Sequence, residues 1–175
     1  MREPFLARFP GRIPAGKVVR SFASTMDILP TVAGLAQTPL PANPLDGVDI
    51  WPMLTGEADD VRRPLFLYFD TWDLQCARLG RWKLHVARHN APAYTPEPKV
   101  GLMNLRLVYP ELYDMETDSG ESADASGDNP GIVADIVARI NSLLPSLPQQ
   151  VRNAWADTQR RPVNPNTPGA WPTPR

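Results

Sequence analysis

A chain of 175 residues with 42% hydrophobic and 21% charged residues has the composition of a globular domain with a real core, not of a disordered segment. Its formal net charge of −1 gives no long-range attraction to nucleic acid or to an anionic membrane, so neither is expected as a partner. The 21 prolines predict short elements joined by many loops, and the one cysteine, Cys76, has no intrachain disulfide partner.

In chain order, Pro4 to Phe9 is a short apolar run ended by Pro10-Gly11, which predicts a strand covered on both faces. The N-terminus places charges where an export signal needs an apolar stretch, so no signal is read there, and localisation stays unknown. No run approaches the roughly 18 apolar residues of a membrane span. Ser24 to Ala36 predicts a helix: Ser24 and Asp27 resemble a capping box, Asp27 is the preferred N-cap, and Ile28, Leu29, Val32, Leu35 and Ala36 share one apolar face. After a proline-rich loop, Asp46-Gly47 signals a turn. Val48 to Leu54 predicts one helical turn closed by Thr55-Gly56, and Glu57 to Asp60 an exposed acidic stretch.

Leu65 to Phe69, Leu74 to Leu79 and Arg81 to Val86 predict consecutive antiparallel strands, the last two meeting at Gly80. Trp82, Leu84 and Val86 alternate with Arg81, Lys83 and His85, the period of a half-buried strand. Cys76, on a strand and without a neighbouring cationic cluster, reads as a buried small hydrophobe. Ala87 to Tyr109 predicts a long irregular connection. Glu111 to Met115 predicts the next strand, followed by a turn through Glu121. A helix capped by Asp128, with Pro130 in its first turn, carries Ile132, Val133, Ile136, Val137, Ile140, Leu143 and Leu144 on one side. A further short helix is expected around Val151 and Trp155, and the prolines from Pro162 onward exclude a regular element.

The residues by themselves do not assemble an active site. His85 and His89 lie about 13 Å apart on a strand, too far to chelate one ion. No glycine-rich phosphate loop, Gly-x-Ser-x-Gly elbow or Cys-x-x-Cys pair occurs.

Five stretches in order nevertheless resemble the C-terminal portion of the type I, arylsulfatase-like, formylglycine-dependent sulfatases. They are Met1-Arg2-Glu3-Pro4-Phe5 with Phe9-Pro10-Gly11-Arg12-Ile13-Pro14-Ala15-Gly16; Ser24 to Thr31; Asp46-Gly47-Val48-Asp49 with Met53-Leu54-Thr55-Gly56; Leu79-Gly80-Arg81-Trp82-Lys83-Leu84; and Leu112-Tyr113-Asp114 through Glu121. The resemblance implies an α/β fold (α+β for the isolated piece): the end of a large alkaline-phosphatase-like domain, then a small antiparallel sheet packed on a C-terminal helix. Residues 1–60 would be the tail of the large domain, 61–145 the small sheet with its helix, and 146–175 a proline-rich extension. It further implies a sulfuric ester hydrolase acting on a sulfated small molecule or glycan, with calcium and formylglycine belonging only to the intact enzyme. The family's Cys/Ser-x-Pro/Ala-x-Arg motif and its calcium ligands have no match here; Cys76 sits in Cys-Ala-Arg-Leu-Gly. The expectation is therefore a C-terminal fragment, inactive alone, with no catalytic residue, metal ligand or cofactor of its own, whose partner is the remainder of the sulfatase domain. His85, His89, Arg78 and Lys83 are the candidates for a wall of its substrate cleft. The alternatives are a non-catalytic α/β binding module, or a fragment of a related phosphoryl-transfer enzyme of the alkaline-phosphatase superfamily.

Overall fold

The element order is α1 (Ile28–Leu35), α2 (Trp51–Thr55), β1 (Phe66–Asp70), β2 (Asp73–Leu79), β3 (Trp82–His89), β4 (Asn104–Asp114), α3 (Pro130–Leu143) and α4 (Gln149–Arg160) in a computed structural model that describes residues 3–61, 63, 65–89 and 104–160. Contacts divide the chain into two units, Met1–Pro64 and Leu65–Arg175.

In the first unit the predicted capping box forms. Ser24 Oγ accepts from the Met26 amide, and the Asp27 carboxylate accepts from the Ser24 amide at 2.7 Å. This closes a 3-10 turn, Thr25–Asp27, that leads into α1. The proposed apolar face of α1 is not a core face: Ile28, Leu29, Val32 and Leu35 are 40–54% exposed, and Ala36 is exposed too. The buried positions are Pro30 and Thr31. Polar bonding sets that choice, because the Thr31 hydroxyl donates to the Asp27 carbonyl at 2.7 Å and accepts from the Ile50 amide at 3.0 Å. The strand expected over residues 4–9 is also absent: residues 3–9 have no regular structure and Leu6 is 96% exposed. A strand needs a ladder partner, and none of the described residues pairs with this run. Phe9 packs instead against Trp51, ring centroids 5.8 Å apart. α2 ends as expected at Gly56, whose φ of +93° suits glycine.

The second unit is a four-stranded antiparallel sheet in the order β1-β2-β3-β4, with helices on one face. Ala77, Leu84 and Leu112 lie side by side across β2, β3 and β4, and with Leu74, Val86, Ile136 and Ile140 they form the core. Leu67, Trp82, Ile132, Val133, Val137 and Trp155 pack around it. The stripe predicted on α3 is thus its buried side. Asn129 rather than Asp128 occupies the N-cap, because Pro130 takes the first helical position and disfavours the helical region for the residue before it, which sits at φ −130° and ψ 50°.

The two ends of the expected irregular connection from Ala87 to Tyr109 are strand: Ala87 to His89 complete β3 and Asn104 to Tyr109 begin β4, while 90–103 lie outside the described residues. The pattern was hidden by a bulge. His85 pairs with Glu111 but Ala87 pairs with Arg106, so Leu107 to Pro110 stand opposite Val86 alone. A bulge on an edge strand is where a proline such as Pro110 is tolerated. The loop after β4 covers that edge further down: Leu112 donates to Asp124 Oδ1 at 3.0 Å and its carbonyl accepts from the Ala125 amide at 2.8 Å.

Candidate functional site

Strand pairing aligns a second row of side chains on the sheet face away from the helices. Tyr68, Cys76, His85 and Glu111 are consecutive partners across all four strands, and Phe66, Arg78, Lys83 and Tyr113 form the next row. Three of the four candidate cleft residues are therefore gathered on one face: Arg78, Lys83 and His85. The backbone of His89 belongs to β3, pairing with Asn104, and its side chain lies outside the described set.

Arg78, Lys83 and His85 each have a hydrogen-bond partner. Lys83 Nζ donates to Glu121 Oε1 at 2.6 Å, and the His85 Nε2–H faces Glu121 Oε2 at 2.8 Å. Glu121 sits at the end of the turn after β4 with φ +55°, a left-handed conformation uncommon outside glycine, and its carboxylate ties that turn to the sheet. The hydrogen bond from His85, reinforced by Lys83 and opposed by burial, lowers the Glu121 carboxyl from an ordinary 4.5 to about 2. Lys83 Nζ also stands 5.2 Å from the Tyr68 ring centroid, and His85 meets Tyr113 edge-on at 5.6 Å. Arg88 Nη2 and the Tyr113 hydroxyl both donate to Glu111 Oε2, at 2.6 and 2.9 Å. Burial, then the Glu111 carboxylate, push the Tyr113 phenol upward. Arg81 pairs with Asp114 and, at 3.3 Å, with Glu116. Arg78 Nε donates to the Gly80 carbonyl at 2.9 Å.

Cys76 is 3% exposed, and burial raises its thiol to about 11, so the thiolate is scarce at neutral pH. Among the described residues no group of three or more His, Cys, Asp or Glu side chains is placed to hold a metal ion. In the acidic stretch, the Asp59 carbonyl accepts from Ser21 and Asp60 Oδ1 from the Val61 amide.

A second polar cluster lies in the first unit. Asp27 is fully buried, and its two oxygens accept from the Ser24 and Val48 amides and from both terminal nitrogens of Arg63, at 2.6–2.9 Å. Burial alone would raise this carboxyl; Arg63 and the two amides outweigh it and hold it below the usual 3.8. Arg63 also stacks over Phe22, its guanidinium 4.9 Å from the ring centroid. Sequence reasoning singled out Lys83 and His85 and overlooked their acid, Glu121, and it missed both members of the Arg88–Glu111 pair and Asp27 as the ion partner of Arg63. The available signals were a carboxylate at the start of an apolar strand and the Glu that closes the Leu-Tyr-Asp turn.

No protein-family model matches the chain. Among curated proteins it is 33% identical to human arylsulfatase A over 151 residues, covering 82% of this chain and 30% of that protein. It is 44% identical to dog N-acetylgalactosamine-6-sulfatase over 88 residues, 49% of this chain and 16% of the relative. The crystal structure of Ps i-CgsB has the same fold over 91% of this chain and 30% of its own length, with TM-score 0.54 and 22% identity. The chain thus spans under a third of the length of these proteins.

Proposed function

We propose, on the premise that this chain belongs to the arylsulfatase-like family of sulfate-ester hydrolases, that its residues form a non-catalytic C-terminal portion of such an enzyme and hydrolyse no sulfate ester by themselves. The observation that supports this best is the engagement of Lys83, His85 and Arg88 by carboxylates of their own unit. A sulfate ester carries negative charge that cationic donors or a divalent ion must offset as the bond breaks. Here Lys83 and His85 are both engaged by Glu121, and Arg88 by Glu111. The residues present do not fit the family's calcium and formylglycine either: the only thiol is buried and far from ionised, and the acids described above already hold cations or amides. In this reading residues 1–60 are the tail of the large domain, 61–145 the small sheet with its helix, and 146–175 a C-terminal extension.

The partner is the remainder of the sulfatase fold, and the exposed face of α1 is where it packs. Ile28, Leu29, Val32 and Leu35 together leave an exposed apolar stripe along α1. The sheet face bearing Arg78, Lys83 and His85, with His89 further along β3, borders the cleft for a sulfated small molecule or glycan. There Lys83 and His85 are tied to Glu121, and Arg78 donates to the Gly80 carbonyl.

The purified chain assayed with a chromogenic aryl sulfate and calcium is expected to show no turnover above the buffer rate. Turnover that persists after removal of contaminating sulfatase, and that disappears in Lys83→Met or His85→Ala, would overturn the proposal.

A further inference from the structure

We draw no further inference here: the strongest candidate, the Arg88–Glu111 ion pair on the sheet face away from the helices, whose buried Arg88 Nε and Glu111 Oε1 have no hydrogen-bond partner among the described residues, belongs to the face already described, and nothing in the structure shows what covers it.

Discussion

Asp27 joins a helix start, a loop and a distant arginine through one carboxylate. Removing it leaves Arg63, whose side chain is 9% exposed, as an uncompensated buried cation. Asp27→Ala should destabilise the first unit by roughly 3–5 kcal/mol, as breaking one side of a buried pair does, measured by urea unfolding followed through Trp51 fluorescence. Because the folded-state carboxyl lies below 3.8, its stabilisation is complete above that value and is lost as pH falls through the lowered one. Glu121 follows the same sign over a wider window. Its folded value of about 2 against an ordinary 4.5 means that the midpoint difference between the wild type and Glu121→Gln stays constant above about pH 5 and closes toward pH 2. A difference that instead persisted at pH 2 would show that the Lys83–Glu121–His85 tie is not what the carboxylate contributes. Cys76 supplies an independent check on burial. With its thiol at about 11, it should resist a thiol reagent at pH 7.5 in the native state and react fully in urea.

Elements are located by close approaches as much as by patterns. Gly47 was legible as part of a turn, but its stronger requirement is space: a Cβ there would lie 2.0 Å from the Met26 carbonyl oxygen. That contact lets the loop reach Asp27, where the Val48 amide donates at 2.9 Å. Gly47→Ala should therefore destabilise by about 1–3 kcal/mol through overpacking, and in the same urea titration it should move the first unit's transition while leaving the second unit's in place. In the sheet unit, the α3 stripe was readable from its spacing because one helix face meets one sheet face. Ile140 is 1% exposed, and Ile140→Ala should cost about 2–5 kcal/mol, read from the transition of Trp82 and Trp155. The β3–β4 pair was only half legible. Its outer half lies beyond a bulge that breaks the period of two, and Pro110 reads as a strand breaker until the strand is known to be an edge.

At the scale of the whole molecule the two units differ in what they leave exposed. The sheet unit has its own core and a covered edge around Leu112, so residues 65–160 are expected to unfold cooperatively by near- and far-ultraviolet circular dichroism. The first unit exposes Phe5, Leu6, Phe9, Val18 and the α1 stripe. It should bind a hydrophobic dye in the native state, and Val32→Glu on α1 should reduce that signal without lowering stability, because Val32 is 54% exposed. Loss of cooperative folding in that variant would mean that the stripe is internal to this unit after all.

The order of local motifs was sufficient to identify the sulfatase family, the Gly80 hairpin, the capping box at Ser24, the turn after β4 and the amphipathic α3. Each depends on residues close together in the chain, where spacing and turn chemistry act directly. Tertiary structure alone decided which faces are covered and which charges are free. The α1 stripe is apolar by sequence yet exposed, because the hydrogen bonds from the Thr31 hydroxyl to the Asp27 carbonyl and from the Ile50 amide to Thr31 turn the opposite side inward. Lys83 and His85 look like a basic site by alternation, yet Glu121, which the chain brings back from 36 residues beyond His85, engages both. Periodicity reports what a face is made of; only the fold reports what is placed against it, because burial and ion pairing depend on partners distant in sequence.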